Sequence, residues 1–154
     1  MSSAVEAAAI AVAAINAVSA LLGLWIFYVG EPSLKGARAF WVTLRAGQGA
    51  ALVLAIAVGS LAAAGHHARE QLFYLYALLP LAVAFIAEQL RAASAQAVLD
   101  QRGLSDAPAV GRLPADQQRG IVAQIVRREI GVMALSALVV AFLALRAAST
   151  AHGF

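Results

Sequence analysis

Leu72–Val98 reads LFYLYALLPLAVAFIAEQLRAASAQAV. It opens on an aromatic run, Phe73, Tyr74 and Tyr76, and stays apolar through Ala87. It then meets Glu88, Gln89 and Arg91. An apolar helix that ends by placing a carboxylate one turn from a guanidinium reads as a membrane span with a polar inner end. Three further apolar runs of similar length accompany it, so the chain reads as all-α, a four-helix transmembrane bundle.

Composition supports that reading. Of 154 residues, 62% are hydrophobic and 12% charged, whereas soluble domains carry about 25% charged and about 45–50% apolar residues. The mean hydropathy is +0.82. About 20 apolar residues cross the hydrocarbon, and the spans fall at 4–29, 39–64, 72–95 and 129–147 of a single domain. No cysteine is present, which excludes disulfides, thiolate metal sites and thiol catalysis. The formal charge of +3 comes from basic residues flanking apolar spans. That pattern points to anionic lipid headgroups rather than nucleic acid.

Span 1 lacks the basic n-region of a cleavable leader and is too long for one, so it is expected to be a retained helix. Its small residues Ala9, Ala13, Ala20 and Gly23 suit close helix approach in lipid. Trp25, Phe27 and Tyr28 form an interfacial belt. After a turn at Glu31-Pro32, span 2 begins with Phe40 and Trp41 and carries Arg45 and Gln48 beside Gly47 and Gly49. Pro80 in span 3 removes an amide donor, so a kink is expected there. Helix is expected to run past span 3 to Gly103, and to resume at Pro114 with Asp116 in its first turn. The segment 96–128 is thus expected to form a cytoplasmic helical hairpin, with Val98 and Leu99 packed near Ile121, Val122 and Ile125. Leu104–Leu113 would be a linker and Gly120 a bend.

The first candidate site is a polar cluster of Arg45, Gln48, Glu88, Arg91 and Glu129 at one depth. Arg45, Gln48, Leu52, Ala55 and Gly59 share one stripe of span 2, expected to face inward. Ionisable groups cost about 2.5–3.5 kcal/mol in a span on insertion scales, so they are retained either as helix staples or as ligand sites. The second comprises the mid-span polar residues, with Asn16 expected to hydrogen-bond Gln48 or Ser136 across helices. The third is a weak metal candidate, His66, His67 and Glu70 with His152. Its spacing works only if the connection is helical, and no metal or other cofactor is expected. No catalytic motif, phosphate loop or carboxylate pair on one helical face occurs, so the residues favour a non-catalytic protein over a membrane-embedded enzyme.

The expected function is therefore that of a lipid- or apolar-ligand-binding bundle or a subunit of a membrane complex, with a homo-oligomer also compatible. The alternative is a small oligomeric channel or transporter with a polar inner-leaflet site. The expected partners are the bilayer and its anionic headgroups, without nucleic acid. Nine of the eleven Lys and Arg residues fall on the side of the first and third loops; only Arg69 and Arg146 fall on the other. By the positive-inside rule both termini are extracytoplasmic in a multi-pass protein of the cell membrane. Ser105→Cys is therefore expected to resist an impermeant maleimide applied to intact cells, and Ser2→Cys to react. Labelling of Ser105→Cys from outside would overturn the orientation.

Overall fold

The computed structural model describes residues 2–29 and 34–151, without the side chains of Ser2 and Leu34. The Glu31-Pro32 turn and His152 lie outside the described residues. All the regular structure is helical: α1 (Ser2–Val29), α2 (Leu34–Ala63), α3 (Gln71–Gln101), α4 (Ala107–Gly111) and α5 (Ala115–Thr150). α1, α2, α3 and α5 are each long and apolar enough to cross a membrane.

The long helices run up and down in chain order. α5 packs extensively against α1 and α3, α2 packs against α1, and α2 meets α3 more thinly. Each helix buries one seam whose positions alternate steps of four and three residues. In α1 these are Val5, Ala9, Val12, Asn16, Ser19, Gly23 and Ile26. In α2 they are Phe40, Leu44, Gly47, Ala51, Leu54 and Val58, and in α5 Ile130, Met133, Ala137, Val140, Ala144 and Ala147. A mean spacing of 3.5 residues is the signature of left-handed supercoiled packing. Composition hides this repeat, because Leu, Ile and Val also occupy the outward faces. Leu21, Val53, Ile56, Phe85 and Phe142 are all exposed large apolar residues, so hydrophobicity does not mark the seam.

The core has two main parts. One, at the end where α2 meets α3, includes Val5, Ala9, Leu54, Val58, Phe73, Ala77 and Ala144. The other, towards the α3–α5 connection, includes Ala20, Ile26, Phe40, Leu44, Ile130, Met133 and Ala134. Between them lies a level where Asn16, Ser19 and Gly47 are buried.

Glycine sets the helix separations at three points. A Cβ on Gly23 would lie 2.6 Å from both Ala134 Cβ and Phe40 Cε2, one on Gly131 2.9 Å from the Phe27 ring, and one on Gly47 2.8 Å from Asn16 Oδ1. Gly49 and Gly59, read from sequence as part of the same theme, face open space.

The helix ends obey local rules. α2 and α3 both stop in Schellman motifs. Gly65 at φ +86° and Gly103 at φ +66° take the left-handed position. His66 N donates to Leu61 O and Gly65 N to Ala62 O; Leu104 N donates to Leu99 O and Gly103 N to Asp100 O. The following turn is pinned where Ala68 N donates to the Tyr74 hydroxyl oxygen at 3.0 Å.

At their connected ends, the last part of α3 and the first part of α5 run side by side and enclose a small core of Val98, Leu99 and Ile121, backed by Leu104, Val110, Leu113 and Ile125. Two expectations need correction. Val122 points away and is 53% exposed, because it follows Ile121 by 100° around the helix. The 104–113 linker contains α4, whose first turn is capped by Asp106 Oδ1 accepting from Ala109 N. The helical assignment runs unbroken through Gly120 in α5 and through Pro80 in α3.

Gly23→Ala is expected to lower thermal stability in detergent, since overpacking typically costs about 1–3 kcal/mol and Ala134 Cβ is fixed to a backbone. Gly59→Ala is the control: its new methyl meets nothing, and helix propensity favours it by up to about 1 kcal/mol. Equal melting temperatures for the two variants would refute the close approach of α1 to α5.

Candidate functional site

The helix order brings Arg45 of α2, Glu88 and Arg91 of α3 and Glu129 of α5 to one depth. Arg45 Nη1 donates to Glu88 Oε1 at 2.5 Å and to Gln48 Oε1 at 2.7 Å. Arg91 Nε donates to Glu88 Oε2 at 2.9 Å, and Arg91 Nη1 lies 3.7 Å from Glu129 Oε1. Trp41 lies between the two cations, its ring centre 5.9 Å from the Arg45 guanidinium and 5.5 Å from that of Arg91.

All five cluster residues named from sequence are thus brought together. The order is Arg–Glu–Arg–Glu, the charges alternate, and the group is neutral. It ties α2 to α3, whose packing is thin, and α3 to α5. Its placement differs from expectation in one respect. The Arg45 side chain is 53% exposed, so it reaches Glu88 around the α2–α3 edge rather than from the bundle interior. The stripe it heads turns outward with it: Leu52 and Gly59 are exposed and only Ala55 is buried. The inward face of α2 is the 3.5-residue seam one position away.

Asn16 does not bridge helices by the expected route. Its Nδ2 donates to Val12 O at 2.9 Å, one turn back in α1. Gln48 is engaged by Arg45, and Ser136 Oγ donates to Met133 O at 2.8 Å. Ser19 is satisfied in the same way by Ile15 O. Hydroxyls and amides that bond to their own helix need no partner across the bundle. Among the described residues, no buried side-chain nitrogen or oxygen lacks a hydrogen bond.

The histidine candidate loses its geometry. The connection 64–70 is not helical, so the intended three- and four-residue spacing to Glu70 is not realised, and His66, His67 and Glu70 are all exposed. Among the described residues, no three His, Cys, Asp or Glu side chains gather around a point that could hold a metal ion.

Two contacts escaped the sequence reading. Arg127 Nε donates to Phe27 O at 2.9 Å, with its guanidinium 5.2 Å from the Phe27 ring centre. It thereby donates to a carbonyl of the last described turn of α1. Arg102 Nη2 donates to Gln124 Oε1 at 3.0 Å and clasps the two arms of the extension. Sequence offered only a basic residue near a helix level, with no signal for which helix end it would meet.

The shared carboxylate makes the cluster asymmetric. Arg45→Leu leaves Glu88 still paired with Arg91, whereas Glu88→Leu leaves Arg45 without an ion pair and Arg91 with only its longer contact to Glu129. Glu88→Leu is therefore expected to lower the melting temperature more, towards the about 3–5 kcal/mol of a stranded buried charge and below it where water reaches the site. The double variant should lose less than the sum of the two. Losses additive to within about 0.3–0.5 kcal/mol would mean that the residues are uncoupled. Comparison with family models, with curated proteins and with solved structures finds no match to this chain, so its function must be argued from this geometry.

Proposed function

We propose that the chain is a multi-pass protein of the cell membrane that binds lipid or another apolar ligand on its helical surface without catalysis. Its termini are extracytoplasmic, and the α3–α5 extension is cytoplasmic. The observation that carries this reading is the closed state of its polar groups. The charged cluster is neutral and satisfies itself, while Asn16, Ser19 and Ser136 hydrogen-bond within their own helices. An ion or solute path needs polar groups that remain free to replace water along the route, and the seam offers alanine, valine and leucine instead.

The outward surface favours an apolar occupant. Between α3 and α5 runs an open-sided groove of about 270 Å³ lined by Val83, Ile86, Ala87, Leu90, Val132, Leu135, Ser136 and Val139. Its size approaches the range of about 300–1,000 Å³ typical of small-molecule sites. The aromatic side chains at its inner level, Trp25 and Tyr28, are 68% and 77% exposed, as suits residues that sit among headgroups.

The test is a pair of measurements on the full chain. Native mass spectrometry from mild detergent is expected to find lipid retained on the protein. Reconstituted vesicles are expected to show no more ion flux than protein-free ones. Flux through the reconstituted protein, or complete delipidation with no loss of thermal stability, would replace this reading with the transport one.

A further inference from the structure

A second groove, about 380 Å³, opens on the same side of the bundle at the level of the α1 C-terminus. It is lined by Leu24, Phe27 and Tyr28 of α1, Ser94 of α3, and Arg128, Gly131, Val132 and Leu135 of α5. Val132 and Leu135 also line the α3–α5 groove, so the two meet along one face of α5. From Arg128 to Val139 the combined trough runs eleven residues, roughly 16 Å, which is about half of the ~30 Å hydrocarbon thickness. Its depth is that of one leaflet.

Arg128 stands at its polar end. Three other cations at this end of the bundle are engaged: Arg45 and Arg91 have Glu88, and Arg127 has the Phe27 carbonyl. Among the described residues, half-buried Arg128 has no ion pair, hydrogen bond or ring contact. Among the described residues, the carboxylates of Glu88 and Glu129 do not neutralise it, because they are balanced by Arg45 and Arg91. An unpaired guanidinium at the mouth of an apolar trough is complementary to a phosphate that carries an alkyl chain. The Tyr28 phenol, on the rim of the same groove, adds an O–H donor.

We propose that this trough holds one anionic phospholipid of the inner leaflet, its phosphate on Arg128 and one acyl chain along Val132, Leu135 and Val139. The inference rests on the lipid-binding reading above and adds the headgroup class and the residue that selects it. Gly131 shapes the site. With no Cβ beside the Phe27 ring, the ring lies against α5 and leaves the wall open. Arg127, one residue away, is held on that ring and on the Phe27 carbonyl, so the two adjacent arginines divide their roles: one caps α1 and the other faces the lipid.

The experiment uses the full-length protein in a neutral detergent, titrated with dioleoyl phosphatidylglycerol or dioleoyl phosphatidylcholine and read by native mass spectrometry. One phosphatidylglycerol per chain is expected to survive activation that strips phosphatidylcholine. Arg128→Gln is expected to weaken phosphatidylglycerol about tenfold, the loss of a charge-assisted contact, and to weaken phosphatidylcholine less, because its choline already offsets the phosphate charge, so that the preference between the two shrinks. Arg128→Lys should restore part of the preference. Arg119→Gln, an exposed cation of the same helix outside the groove, should not alter it.

Equal retention of the two lipids by the wild type, or a preference undiminished in Arg128→Gln, would overturn the assignment of the headgroup site while leaving general lipid binding intact. A preference lost equally in Arg119→Gln would reduce it to diffuse surface attraction and likewise overturn it. Stabilisation by inorganic phosphate with the same dependence on Arg128 would replace the lipid with a soluble anion. Absence of any retained lipid on the wild type would sink the underlying reading as well.

Discussion

Close approach of helix backbones is the constraint on which the bundle depends. In lipid, apolar burial gives helices little reason to associate, so dispersion contacts between well-fitted surfaces must supply the attraction. Those contacts fade within an ångström of extra separation. The chain meets this with glycine and alanine where α1, α2 and α5 cross. Gly23 admits Ala134 and Phe40, Gly131 admits the Phe27 ring, and Gly47 admits Asn16. α5 can sit between α1 and α3 because its buried face is mostly alanine, from Ala134 to Ala148.

Where that fit is lacking, charge replaces it. α2 and α3 meet thinly, and Arg45 with Glu88 spans their edge. Each ionisable group is expensive in a span, less so near an interface where long side chains reach water. Placing the alternating Arg–Glu–Arg–Glu row towards one end of the long helices satisfies both demands. The row is neutral, so it fixes the spacing of three helices without attracting a counter-ion. Basic residues beyond it are left for other contacts, as Arg127 shows at the Phe27 carbonyl.

Much of this was legible in the sequence. The four long apolar runs gave the helices, Gly103 marked the end of α3, and shared depth brought Arg45, Glu88, Arg91 and Glu129 together. Depth follows from counting residues along each span. Azimuth does not. A span apolar on every side carries no amphipathic signal, so the stripe through Arg45 was assigned to the interior when the true seam lies one position away, at Leu44 and Gly47. The same gap misplaced Val122, which differs from Ile121 only in direction, and Asn16, whose amide found its own helix one turn back. The Arg127 contact was illegible for another reason. Residues 27 and 127 are a hundred positions apart, and only the packing of α5 on α1 makes them neighbours.

The fold and the proposed lipid site share a cause. A bundle packed with large side chains would hold its helices further apart, and its outer clefts would be filled by those same side chains. Here the small residues draw α1 onto α5 at Gly131, and the large residues are left to face outward. Tyr28, Leu135 and Phe142 are exposed, and the spaces between such ridges become troughs. A tightly crossed small-residue seam inside therefore produces a corrugated apolar surface outside. In the proposed site, a cation that pairs with no other described residue would turn that corrugation into selectivity, because an acyl chain fits any apolar groove, while a phosphate gains most from a guanidinium that is not otherwise engaged.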